Sequence, residues 1–310
     1  MVTAPTKSKP HAVRIARAAL HYWEEPPLSG YPDETGRQEG SGTIFFSGCS
    51  LRCVYCQNEA ISSGRIGKTV SVSRLARIML ELQEQGALNI NLVTPTHFWA
   101  PITEAVARAR NAGLTLPIVA NVAGTEKPKC VFNLEDTVDI WLCDAKYFSN
   151  DLAEALSNAQ TYWEVFCTAL DAMLAVNRRK GDLRMRADKT LLQGVIIRHL
   201  VLPGCVEDSK RVVRGLAAFR EKYGENSFML SIMNQYCPPH LDNLSERERM
   251  ILRAYPELKR ALTQAEYDEV LEEAERVGFG DIWIQEGGAA SESFIPAFNY
   301  EGVQGPELEL

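Results

Sequence analysis

The chain has 310 residues, 45% of them hydrophobic and 24% charged, with a formal net charge of −7. These values suit one large α/β domain with appended segments. They exclude a broad basic footprint for nucleic acid, and no apolar run is long enough to span a membrane. The polar stretch Met1 to Pro10 lacks the apolar core of a secretory signal, so the expected location is a reducing cytoplasm, where eight cysteines need not form disulfides.

Residues 1–41 read as an N-terminal extension, with a short helix over Ala12 to Tyr22 and turn material at Pro26-Pro27 and Pro32. The aromatic and acidic run His21-Tyr22-Trp23-Glu24-Glu25-Pro26 reads as a packed lead-in to the first strand. From residue 42 strands and helices alternate. Strands are expected at Thr43 to Phe46, Ile90 to Val93, Pro117 to Asn121, Val138 to Cys143, Gly194 to Leu202 and Phe228 to Met233. Between them lie helices over Val72 to Gln85, Ile102 to Asn111, Pro128 to Leu134, Asp151 to Leu156, Tyr162 to Asn177 and Asp208 to Lys222. In the first of these Leu75, Ile78, Met79 and Leu82 recur at helical spacing. Residues 178–193 read as a charged surface loop. Six strand–helix units in strict alternation predict a parallel, barrel-like sheet: an α/β fold, a partial (βα)6 barrel over 42–236. Residues 237–310, with a helix at Gln264 to Val277 and a strand at Asp281 to Gln285, read as a C-terminal cap over the barrel mouth, with Glu286-Gly287-Gly288 and Phe294-Ile295-Pro296 near the open end.

The densest chemical signal is Gly48-Cys49-Ser50-Leu51-Arg52-Cys53-Val54-Tyr55-Cys56, three cysteines at spacing C-x3-C-x2-C in the loop after the first strand. Thiolates so close in sequence can hold three corners of an iron–sulfur cluster or three positions on zinc. No fourth Cys or His is near; the next His is His97. Cys130, Cys143, Cys167, Cys205 and Cys237 are scattered and read as buried thiols.

This cysteine run, with an aromatic before its last member, resembles that of the radical S-adenosylmethionine (SAM) enzymes. The resemblance implies that Cys49, Cys53 and Cys56 hold a [4Fe-4S] cluster, that SAM completes it, and that the backbone around Tyr55 contacts adenine. Further runs, among them Asp144-Ala145-Lys146, Asn89 to His97 and Ser231 to Tyr236, resemble the branch labelled pyruvate formate-lyase activating enzyme-like. From it follow SAM contacts by Asp144, Lys146 and Arg198, the last gripping a carboxylate, while His199 faces the other way as a packed residue. A Gly-Gly-Glu run common in the family is absent, so Thr94 or Thr96 would take the methionyl amine, with Asn121 at the next strand end. The implied activity is reductive SAM cleavage for hydrogen abstraction, with a flavodoxin or ferredoxin as electron donor and a glycyl radical enzyme as protein substrate. Modification of a small molecule or peptide, and a non-catalytic metal-binding scaffold, are the competing readings.

Overall fold

The computed structural model describes residues 12–239, 242, 244–280, 282–284 and 296–308. Its elements begin with β1 (Ala12–His21), α1 (Pro26–Ser29), β2 (Ser41–Phe46), α2 (Glu59–Ser62), β3 (Lys68–Ser71) and α3 (Val72–Glu84). There follow β4 (Ile90–Val93), α4 (Trp99–Asn111), β5 (Ile118–Val122), α5 (Pro128–Asn133), β6 (Ile140–Asp144), α6 (Asn150–Ser157) and α7 (Tyr162–Arg179). The rest are β7 (Arg184–Met185), β8 (Leu191–Leu200), α8 (Val206–Tyr223), β9 (Met229–Met233), α9 (Glu246–Ala254), α10 (Gln264–Arg276) and β10 (Ile282–Ile284).

The sheet runs β10-β9-β8-β6-β5-β4-β2-β1-β3. Its six middle strands from β2 to β9 are parallel, and they are the six expected from the alternation. Every residue of β2 and β4 is buried, which is what continuous apolar runs achieve when both faces of a parallel sheet are covered. Alternation sorts the side chains: Phe46 packs on Phe98 under the helical layer, while Phe45 faces the opposite side with Ile61, Val93 and Phe298. The sheet also curls. From β2 to β9 a flat sheet would extend about 24 Å, at roughly 4.8 Å per strand, yet Phe45, Val93, Asn121, Asp144, Arg198 and Met233, one from each of these strands, line one cavity of about 260 Å³. This is the partial barrel.

Three expectations are corrected. Ala12 to His21 is a strand, not a helix: β1 pairs antiparallel with β2 on one side and β3 on the other. Its alanines favour helix by propensity, and a register shift between Ile15 and Arg17 spoils the two-residue period that would have marked a strand. Residues 12–21 therefore belong to the sheet rather than to an appendage. Residues 178–193 are not all loop, since β7 forms a hairpin with the start of β8, its turn closed by the Asp188 carboxylate accepting from Thr190 N at 2.9 Å. Of the cap expected over 237–310, Pro296 lines the cavity and Arg247 of α9 reaches Arg52 O in the cysteine loop, but two described parts lie elsewhere. Helix α10 packs outside, on α8, through Lys210–Glu269 (2.7 Å) and Arg214–Glu273 (2.5 Å), and β10 extends the parallel sheet beside β9. Glu286 to Gly288, Phe294 and Ile295 lie outside the described residues.

Residues 296–308 return to the far edge. Tyr300 N donates to Ala16 O (3.1 Å) and Ala18 N to Glu301 O (2.8 Å), next to the stretch of β1 that β3 covers. Arg74, 5% exposed, anchors this tail: its guanidinium donates to the carbonyls of Gly302, Val303, Gln304 and Pro306 and pairs with Glu81 at 2.7 Å. Arg74→Ala is expected to cost at least about 2 kcal/mol, since hydrogen bonds from a charged donor are worth about 1.5–3 kcal/mol each, and to open the tail to protease. Limited proteolysis with denaturant titration checks this; cleavage at the wild-type rate would show that the tail holds without Arg74.

Candidate metal and cofactor site

The cysteine loop leaves β2 through Gly48, whose φ of 97° is left-handed and open to glycine without strain. Backbone bonds fix both ends of the turn. Gly48 N donates to Ile61 O and Cys49 N to Ser62 O, each at 2.9 Å, while Arg52 N and Val54 N donate to Ser157 O and Leu156 O at the end of α6. The His97 ring donates to Gly48 O at 2.7 Å. Arg247 of α9 donates to Arg52 O at 2.8 Å, and Gln57 reaches across the barrel to Gln235 O at 2.8 Å. A loop tied from α2, α6, α9 and the end of β9 holds its side chains in a set arrangement.

Cys49, Cys53 and Cys56 all line the cavity at the C-terminal ends of the strands, and no disulfide joins any of the eight cysteines. Burial raises the Cys49 thiol pKa. Burial, followed by the neighbouring Cys53 and Cys49, pushes Cys56 up to about 12. Cys49 and Cys56, so raised, stay protonated until a cation offsets the charge, so metal loading releases protons. Among the described residues no group of three or more His, Cys, Asp or Glu is arranged for a single metal ion. A cluster asks for less convergence, because each thiolate meets its own iron. In donor type and in sharing one cavity, the three thiols fit a cluster that they would hold by three of its irons.

Asp144 and Lys146 line the same cavity, paired at 2.6 Å. Burial opposes the Lys146 ammonium, but the paired Asp144 carboxylate holds its pKa well above the usual lysine value. Tyr55, Thr94 and Asn121 also line the cavity. Thr94 has a φ of 58°, a conformation that a β-branched residue avoids unless its surroundings impose it, and such outliers cluster at functional sites.

Two expected residues are placed differently. The Thr96 hydroxyl turns from the cavity and donates to Glu126 Oε1 at 2.6 Å. Arg198 lines the cavity but is already bound. Its Nε and Nη2 donate to Glu25 at 2.7 and 2.5 Å, and Nη2 also donates to Glu24. A guanidinium held by two carboxylates is not free to grip a third. His199, 1% exposed, faces away and donates from Nδ1 to Ala145 O at 2.6 Å, as expected; burial lowers its pKa and keeps it neutral.

Glu24 and Glu25 come from the lead-in after β1. This segment crosses the inside of the barrel, where Leu28 packs among Val119, Ile140, Leu142 and Ile196. His21, Trp23 and Glu24 form part of the cavity lining, so the run set aside as a lead-in is the cavity floor. Its juxtaposed aromatic and acidic residues were the available signal. Ser157 and Tyr147, which back the cysteine loop, had no such signal.

Residues 38–124 match the family described as a 4Fe-4S single cluster domain. Over 252 residues the chain is 26% identical to an uncharacterized protein of Methanocaldococcus jannaschii, covering 78% of this chain and 64% of that protein, which is less than two thirds of the relative. The fold is similar to that of HydG, a maturase of the [FeFe]-hydrogenase, with a TM-score of 0.50 and 12% identity over 76% of this chain and 48% of that one. Spore photoproduct lyase with bound AdoMet superposes at a TM-score of 0.47 with 10% identity, over 78% of this chain and 75% of the lyase. The cysteine run and the domain match agree on a 4Fe-4S cluster at this loop, and the likeness to HydG is one of fold. The matched segment at 38–124 contains β2 to β5 and with them the cysteine loop, Thr94 and Asn121; Asp144, Lys146 and the floor lie outside it. Among the described residues no helix is long and apolar enough to cross a membrane.

Proposed function

We propose that the chain is a SAM-cleaving enzyme in which Cys49, Cys53 and Cys56 each hold one iron of a [4Fe-4S] cluster. The observation that carries this is the sharing of one cavity by the three thiols and the Asp144–Lys146 pair. A cluster so held would supply the electron that splits SAM into methionine and a 5′-deoxyadenosyl radical, which would take hydrogen from the substrate. The chain's own groups bind and orient. The Lys146 ammonium neutralises the SAM carboxylate, the Asp144 carboxylate accepts from ribose hydroxyls, and Thr94 and Asn121 offer polar groups between them. Helices outside the sheet and the floor below keep water from the reacting atoms.

The branch resemblance points to a glycine of a partner glycyl radical enzyme as the hydrogen donor, with a flavodoxin or ferredoxin supplying electrons. A second reading, modification of a small molecule or peptide, is favoured by Pro296, which lines the cavity while Phe298 packs on Phe45 at 5.5 Å. Anaerobic reconstitution with iron, sulfide, SAM and dithionite tests the proposal through 5′-deoxyadenosine. Deuterium uptake from labelled candidate proteins or small molecules separates the two substrates. A reconstituted chain that holds iron but never cleaves SAM would leave only a metal-binding scaffold.

Lys146→Ala is expected to weaken SAM binding roughly ten- to hundred-fold, the equivalent of a charge-assisted contact worth about 1.5–3 kcal/mol. Asp144→Asn should cost less, because an amide oxygen still accepts. Calorimetry on reconstituted protein, with iron quantified in parallel, checks both; wild-type affinity in Lys146→Ala would remove Lys146 from the site.

A further inference from the structure

We propose that Ser157 is a positioning residue that tunes the reduction potential of the cluster through its hydrogen bond to Cys53, fed by a relay through Tyr147 and Tyr55. This rests on the assignment of Cys53 as a ligand. Ser157, the last residue of α6, is fully buried, and its Oγ donates to Cys53 Sγ at 2.9 Å. Tyr147, also fully buried, lies 2.5 Å from Ser157 Oγ and makes a second hydroxyl contact with Tyr55.

Counting protons gives this chain a direction. A ligating thiolate has no proton, so Ser157 must donate to it. Ser157 has one hydroxyl proton, so Tyr147 must donate to Ser157. By the same count Tyr55 donates to Tyr147. Three hydroxyl dipoles then point head to tail at one sulfur, each polarising the next. Tyr55 lies between Cys53 and Cys56 in sequence, so the loop that carries the thiols also carries the start of the relay, which folds back on its own middle member.

Reduction adds one electron from an external low-potential donor to the cluster and its thiolates. No bond is made or broken, and Ser157 keeps its proton. A donor aimed at Cys53 Sγ stabilises the added negative charge, so it raises the potential. Ser157→Ala should lower the equilibrium constant for one-electron reduction about tenfold, a shift of about 59 mV to more negative potential. Tyr147→Phe keeps the serine but removes the dipole behind it, and should shift the potential in the same direction by less. Tyr55→Phe should shift it least.

The test is an anaerobic redox titration of reconstituted wild type and variants, followed by the electron paramagnetic resonance signal of the reduced cluster, with iron and sulfide measured on each sample. The expected result is full cluster content with potentials ordered wild type, Tyr55→Phe, Tyr147→Phe, Ser157→Ala, from highest to lowest. Equal potentials at full cluster content would overturn the proposal. If Ser157→Ala loses its cluster, Tyr147→Phe decides, and an unshifted potential there overturns it. A wild-type chain that takes up no [4Fe-4S] cluster fails at the iron analysis instead, which is the failure of the ligand assignment.

Discussion

Replacing any one of Cys49, Cys53 or Cys56 by alanine is expected to take iron and sulfide from a full [4Fe-4S] complement to background and to end SAM cleavage. The three thiols line one cavity, and among the described residues no His, Cys, Asp or Glu group stands ready to complete a single-ion site in place of a lost one. Two thiolates on a cube leave two corners open to solvent and chelators. Cys130, Cys143, Cys167 and Cys205 lie outside that cavity lining, and their alanine variants should keep the cluster. Cys143 belongs to the core on the helical side of the sheet, so its variant should lose stability by about 1 kcal/mol, a common cost for a core substitution, without losing metal. Cys237, within 3.9 Å of Gln57 Nε2 behind the loop, should also keep the cluster. Full iron and sulfide in Cys53→Ala would end the assignment.

Arg198→Met is expected to destabilise the fold by about 3–5 kcal/mol, the usual cost of stranding buried charge. The side chains of Arg198, Glu24 and Glu25 are 12%, 7% and 1% exposed, and the guanidinium serves both carboxylates. Burial pushes Glu25 towards protonation, but the Arg198 charge and hydrogen bonds outweigh it and hold its pKa below the usual glutamate value. A depressed carboxyl stabilises the fold above its unfolded pKa of about 4.3, and that contribution fades as the pH falls through the folded value. In Arg198→Met the largest opposing influence is gone and burial favours protonated Glu25, so the gap between variant and wild type should be widest near neutrality and narrow in acid. Adding Glu24→Gln and Glu25→Gln to Arg198→Met should recover most of the loss. Urea titrations from pH 4 to 8 measure all of this. An unchanged midpoint would mean that the triad is solvated and free to serve a ligand.

The parallel strands were legible because full burial on both faces leaves uninterrupted apolar runs such as Thr43-Ile44-Phe45-Phe46. The cysteine loop was legible because its three thiols are adjacent in sequence. Asp144 and Lys146 could be read from alternation alone, being two apart at a strand end. What could not be read depended on distant partners. Arg198 looked like a free carboxylate binder because its partners are more than 170 residues away, at Glu24 and Glu25. The strand at Ala12–His21 needed the edges of β2 and β3 to override a helix-prone composition. Ser157 sits in an unremarkable helix end, and only the fold brings its hydroxyl to Cys53, 104 residues upstream.

The return of residues 300–301 to β1 has a temporal side. A ribosome delivers Ala18 first and its backbone partner Glu301 roughly 280 residues later. At about 5–20 residues per second that is an interval of roughly 15–55 seconds. Through it, β1 can find β2 and β3, but the neighbouring stretch at Ala16 and Ala18 has no strand beside it. An open strand edge of that kind invites pairing with another nascent chain. The barrel can thus be assembled, floor included, well before this edge is sealed, and yield on expression should depend on how well the growing chain is shielded during that wait.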